Sequence, residues 1–219
     1  MAPARQSPVS PLVVRWSRAE DERAGTPLLV ALHGRGSDER AFSGIAPYLP
    51  EGITIAFVRA PIAEGGGYAW FTNRGIGRPV AESIADSAAQ VLDWLDTVAA
   101  RHTSVSVLGF SGGMAMAGGL LFTKPERFSS AVLLSGTLPW DAGLPAGPGR
   151  LAGVRVLWGR DEADTVIPAD LVARTGRWLR EESGADLAER VYPALGHALG
   201  EGELHDIHTF LAETGDRPS

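Results

Sequence analysis

The chain contains no cysteine. That removes a thiolate nucleophile, a disulfide framework and any cysteine-ligated metal site. It also lacks a dense run of lysine or arginine, and its formal net charge is −6 with a pI near 5.4. Nucleic acids and anionic membrane surfaces are met by basic stripes, so neither is an expected partner. No apolar run approaches the length needed to span a bilayer. Met1 to Pro11 holds three prolines and no apolar core of signal-peptide length. These absences favour a soluble, cytoplasmic protein. No internal repeat or low-complexity tract is found, which sets aside solenoids and disordered linkers.

What is present suits one globular domain. The 219 residues are 44% hydrophobic and 21% charged, enough to bury a sizeable core. Residues 1–10 are expected to form a flexible tail, 11–214 the folded domain and 215–219 a short C-terminal tail.

Along the chain, short apolar runs alternate with helical patterns. Leu12 to Trp16, Pro27 to Leu32, Ile53 to Val58, Val105 to Phe110, Ala131 to Leu134, Val154 to Trp158 and Glu189 to Tyr192 are predicted strands. Continuous apolarity in most of them marks strands buried on both faces. Ala81 to Arg101 is predicted as an amphipathic helix, with Ile84, Ala88, Val91, Leu95 and Val98 on one face. Met114 to Phe122, Leu171 to Glu182 and Leu204 to Glu213 are the other helices. A glycine-rich loop, Gly65-Gly66-Gly67, leads into Tyr68, Trp70 and Phe71. This alternation predicts a mostly parallel sheet covered on both sides, with ligands beyond the carboxyl ends of its strands.

The chemically capable residues fall at those ends. Gly109-Phe110-Ser111-Gly112-Gly113 reads G-x-S-x-G between a predicted strand and a predicted helix. A chain with 27 glycines can produce the pattern by chance, so its position carries the argument. A serine on a tight turn there has its hydroxyl exposed and backbone N–H groups beside it at a helix N-terminus. Of the five histidines, His197 stands after the last strand, in Tyr192-Pro193-Ala194-Leu195-Gly196-His197, where it can serve as general base. His205 and His208 lie three apart on a predicted helix and read as a solvated face, without the further ligands a metal site needs. His33 reads as a structural brace for its loop. A carboxylate is wanted after Val154 to Trp158 and before His197, and Asp161, Glu162 and Asp164 all qualify. Asp164-Thr165-Val166-Ile167-Pro168 has the better local form, an acid in a turn before a proline-opened helix; Asp161 stays open as acid or as loop support. Two backbone N–H groups could stabilise an oxyanion: that of Gly112 and that of Arg35 in His33-Gly34-Arg35-Gly36.

Taken with its Ser, Asp, His order, the chain resembles the phospholipase/carboxylesterase family of small α/β-hydrolases, which includes acyl-protein thioesterases. The residues that carry the likeness are Leu32-His33-Gly34-Arg35-Gly36, Gly109 to Gly113, Asp164 to Pro168 and Gly196-His197. The resemblance implies a single-domain α/β-hydrolase fold, Ser111, Asp164 and His197 as a triad, and Arg35 and Gly112 as oxyanion donors. Two departures stand out. Gly112 occupies a place where the family often has glutamine, and the interval from Gly159 to Asp164 is longer than usual, which keeps Asp161 in view.

The expected reaction is ester hydrolysis through an acyl-enzyme, with no metal or organic cofactor and an ester as the small-molecule substrate. Hydrolysis of lysophospholipids or of acyl-protein thioesters is the alternative, and an idle hydrolase fold serving as receptor or scaffold is the alternative of another class. A homodimer is compatible with the sequence. Pro139 to Gly153 is too short for a helical lid, so no cap domain is expected and the site should be open. Trp70, Phe71, Leu138, Trp140, Ile167 and Leu199 are the expected walls of an apolar acyl groove.

Overall fold

Strands that are apolar at every position need cover on both faces. The computed structural model, which describes residues 12–215, provides it. Leu28–Leu32 (β2) and Thr54–Val58 (β3) are buried along their whole lengths. Alternate residues serve opposite layers. Leu28, Val30 and Leu32 face one core cluster, Leu29 and Ala31 the other.

The remaining strands of the main sheet are Val14–Trp16 (β1), Val105–Phe110 (β6), Ser130–Leu134 (β7), Arg155–Asp161 (β8) and Asp186–Tyr192 (β9). Ile62–Glu64 (β4) and Gly67–Ala69 (β5) form a separate two-stranded hairpin. The seven-stranded sheet runs β1-β3-β2-β6-β7-β8-β9. Only β1 is antiparallel to its neighbour; every other pairing is parallel. Chain order reverses between β2 and β6, so the loops that follow these two strands open side by side at the switch point.

Ala81–Val98 (α2), Gly112–Thr123 (α3) and Ala169–Glu181 (α4) pack on one face, and Glu39–Phe42 (α1) and Glu201–Gly215 (α5) on the other. The α2 stripe is as its periodicity predicts: Ile84, Ala88, Val91 and Leu95 are buried while Asp86, Asp93 and Asp96 are exposed. By contrast α3 is buried from Gly113 through Phe122, as expected of a helix that is apolar all round.

Several boundaries differ from the sequence expectation. The third helix begins at Gly112 directly after the serine, and β8 continues to Asp161, three residues past Trp158. The polar ends Gly159-Arg160-Asp161 carry no apolar signal but extend the ladder against Arg190 to Tyr192. Gly65-Gly66-Gly67 is part of a hairpin, and Gly65 and Gly66, at φ 59° and 87°, make its turn. Positive φ at both turn residues matches the strand twist, which is why two glycines suit it. Between β7 and β8 the single short helical piece is the 3-10 turn Trp140–Ala142, so no cap covers the sheet there. The expected tail 1–10, and all but residue 215 of the tail 215–219, lie outside the described residues.

Candidate active site

Ser111 sits between the end of β6 and the start of α3 at φ 55° and ψ −117°, a conformation that costs an L-residue about 1–3 kcal/mol. Close packing of helix on strand holds it there. A Cβ on Gly109 would lie 2.2 Å from the Gly113 carbonyl oxygen, and one on Gly113 would lie 2.0 Å from that of Leu32. Neither position admits a side chain. The Ser111 N–H donates to the Leu134 carbonyl at 2.9 Å, and the Met114 N–H donates to the Ser111 carbonyl at 2.9 Å.

His197 reaches this serine from the loop after β9. Its Nδ1 lies 2.8 Å from Asp164 Oδ2, and its Nε2 lies 2.9 Å from Ser111 Oγ. A carboxylate can only accept, so Nδ1 carries the proton and Nε2 presents its lone pair to the serine O–H. The imidazole also packs against the Phe110 ring, centroids 5.1 Å apart. Asp164 is held in turn by the N–H groups of Val166 at 2.8 Å and Ile167 at 3.3 Å, both donating to Oδ1. Proton transfer from serine to imidazole is therefore geometrically available, with a carboxylate placed to stabilise the imidazolium.

Asp161 makes no hydrogen bond to His197. Its Oδ1 accepts the Ala163 N–H at 2.7 Å and its Oδ2 the Leu195 N–H at 2.8 Å. Burial works to raise this carboxyl, but the amides of Leu195, Ala163 and Gly196 outweigh it and leave it below the ordinary carboxylate range.

The loop after β2 brings Arg35 beside Gly112. A Cβ on Gly112 would stand 3.3 Å from the Arg35 backbone nitrogen, so the two amides are neighbours next to the serine. The Arg35 side chain is committed elsewhere: it pairs with Glu64 and donates to the Phe71 carbonyl at 2.8 Å. The β4–β5 hairpin supports this loop further. Gly36 N–H donates to the Tyr68 carbonyl at 2.9 Å, and Tyr68 N–H to the Ser37 carbonyl at 3.0 Å. Nothing in the sequence pattern signalled that brace.

His33 is fully buried in the same loop. Its Nδ1–H donates to the Gly34 carbonyl at 2.7 Å, and its Nε2 accepts the Ala60 N–H at 3.1 Å. Burial lowers its pKa, consistent with a neutral ring whose two nitrogens are both spent on the backbone. His205 and His208 are exposed on α5. Among the described residues no cluster of three or more His, Cys, Asp or Glu side chains could hold a metal ion.

A cavity of about 310 Å³ opens on the serine, with Ser111, Gly112, Arg35 and His197 in its wall. Phe71, Leu138 and Ile167 line it, as do Ile76, Pro79 and Val166, which sequence reasoning missed. Ile76 and Val166 are 44% and 43% exposed, large apolar side chains at the mouth. A lone isoleucine within Arg74-Gly75-Ile76-Gly77-Arg78 was the available signal.

Trp70, Trp140 and Leu199 are not in the wall, contrary to expectation. Trp70 is 2% exposed in the core, its indole N–H donating to the His33 carbonyl at 2.8 Å. Trp140 turns inward to Phe122 and Trp178, ring centroids 6.0 and 5.7 Å away. Leu199 packs against the core cluster that α5 covers. Each is an aromatic or aliphatic group near the catalytic end whose side chain finds more cover in the interior than at the groove.

A family model described as phospholipase/carboxylesterase matches residues 18–214. Among solved structures, a carboxylesterase from Bacillus cereus superposes with a TM-score of 0.80 at 21% identity, covering 93% of this chain and 94% of that one. A carboxylesterase from Mesorhizobium loti gives 0.73 at 26% identity, covering 85% and 88%. Acyl-protein thioesterase 2 from Zea mays gives 0.74 at 23% identity, covering 92% and 98%. Among curated protein sequences none matches.

Proposed function

The chain belongs to the phospholipase/carboxylesterase family of serine hydrolases, and from that premise we propose that it is a carboxylesterase for small to medium acyl esters. One observation supports this above the rest: His197 bridges Ser111 and Asp164 at 2.9 and 2.8 Å, in the wall of an apolar groove.

In this reading His197 removes the Ser111 proton as Oγ attacks the ester carbonyl. The backbone N–H groups of Arg35 and Gly112 receive the developing oxyanion, a type of contact worth about 10²–10³-fold in rate per donor. The imidazolium, steadied by Asp164, protonates the departing alcohol. Water, activated by the same imidazole, then releases the acid from the acyl-serine. A groove of about 310 Å³ is at the small end of ligand pockets, which favours modest acyl chains. Its apolar lining suits the acyl part more than a charged one. The cytoplasm is the expected compartment.

Fluorophosphonate labelling followed by peptide mapping tests the proposal. A single modified peptide containing Ser111 is the expected result, with both labelling and turnover lost in Ser111→Ala while the fold survives. Absent labelling would favour an idle receptor or scaffold. Labelling elsewhere would reject the assignment. Rates on short aryl esters, long-chain acyl-thioesters and lysophospholipids then rank the substrate classes. Preference for either of the last two would replace the carboxylesterase reading with thioesterase or lysophospholipase activity.

A further inference from the structure

We propose that Asp161 is a positioning residue, clamping the turn that carries Asp164 to the loop that carries His197. The inference rests on the proposed triad and asks what keeps its two parts in register. They are attached to different strands, one by the turn after β8 and the other by the irregular loop after β9. The histidine loop has no regular structure from Pro193 to Gly200. Within it Ala194 and Gly196 both have positive φ, 65° and 75°, and for alanine that conformation is strained. Leu195 is 47% exposed, so its side chain gives the loop little burial. Leu199 packs on the core only beyond His197, so the stretch before the histidine needs another hold.

Asp161, the last residue of β8, is placed to do so. It is 7% exposed, and its two oxygens face different segments. Oδ1 takes the Ala163 N–H at 2.7 Å, shaping the turn that ends in Asp164. Oδ2 takes the Leu195 N–H at 2.8 Å, two residues before His197, and the Gly196 amide adds to the same carboxylate. The backbone repeats the link, since the Glu162 N–H donates to the Tyr192 carbonyl at 2.9 Å. A short ionised side chain thus spans the acid turn and the base loop. Neutral asparagine has one acceptor oxygen, and its amide N–H₂ would meet a backbone N–H, donor against donor. One of the two segments must then let go. Misplacement of a catalytic group by about 1 Å can cost on the order of 10²-fold.

The test compares Asp161→Asn, Asp161→Ser, Asp164→Asn and Ser111→Ala with the native chain on one short aryl ester. Serine can still accept from Ala163 but is too short to reach Leu195, so it isolates the loop contact. Active sites are titrated with fluorophosphonate, and turnover is expressed per reactive Ser111, which removes any loss of folded protein. Both Asp161 variants should titrate fully and show kcat lowered about 10- to 100-fold with KM within about three-fold. Asp164→Asn should fall further. Values of kcat per site within two-fold of native in both Asp161 variants would overturn the clamp while leaving the triad intact. A larger fall in Asp161→Asn than in Asp164→Asn would make Asp161 the acid itself. Failure of both Asp161 variants to fold would make it a residue of the fold and reject the positioning role. Turnover surviving in Ser111→Ala would instead strike the proposed function.

Discussion

The two flanks of Ser111 are built by different means. On the β2 side, backbone packs on backbone: Gly109 and Gly113 admit no Cβ, and the Arg35 loop is pinned through main-chain bonds to the β4–β5 hairpin. On the β8–β9 side, side-chain carboxylates do the holding. Asp164 grips His197 and two amides, and Asp161 grips its own turn and the histidine loop. The first flank is fixed by excluded volume and main-chain hydrogen bonds, which cannot relax without moving a strand, a helix or the hairpin. The second is fixed by charge-assisted hydrogen bonds, which depend on ionisation and on single atoms. His197, the base of the proposed reaction, lies on the second.

Three experiments would break or sharpen that contrast. The largest effect is expected for Gly113→Ala, since the added carbon would lie 2.0 Å from the Leu32 carbonyl oxygen. Stability should drop by roughly 3–5 kcal/mol in urea unfolding. A native-like midpoint would show the first flank to be softer than its close packing implies.

Next comes Glu203, buried on α5 near Asp161, its Oε1 without a partner. Burial pushes its carboxyl up to about 7; the Gly200 amide pulls down, while Asp161 and Asp206 push further up. With the folded value above the unfolded one near 4.5, its contribution is fully present below about pH 4.5. It is lost as pH rises through about 7. Stability should therefore decline by about 3 kcal/mol from pH 4.5 to 8, and Glu203→Gln should flatten that slope. An unchanged slope would remove Glu203 as its source.

The smallest effect concerns selectivity. Phe71→Ala should change the ratio of rates between short and medium acyl esters by about 10-fold, because Phe71 lines the groove. Trp140→Ala should leave the ratio within about two-fold, since Trp140 faces Phe122 and Trp178. A larger shift for Trp140 than for Phe71 would redraw the pocket.

Much of the fold was legible because buried parallel strands are apolar at every residue and α2 repeats its stripe at helical spacing. What escaped was polar or short. The end of β8, Gly159 to Asp161, has no apolar signal, and β4 and β5 are three residues each. At the site, the serine motif and the Gly-His pair stood out locally. The groove did not: Phe71 and Trp70 are adjacent aromatics, yet one lines the cavity and the other serves the core. Trp140 and Leu199 also turned inward, a choice made by packing partners distant in the chain.

By itself, then, the order of apolar runs, glycines and a few polar residues determined that a parallel sheet would form and that Ser111, His197 and a nearby acid would stand at its carboxyl edge. Those are local properties, set by period and by turn chemistry. Which acid faces the imidazole was decided only in three dimensions. Asp161 and Asp164 are three residues apart and chemically alike, but one is met by the backbone amides of the incoming loop and the other by His197 Nδ1. That partition depends on how β9 delivers its loop across β8, a long-range contact that no local pattern encodes.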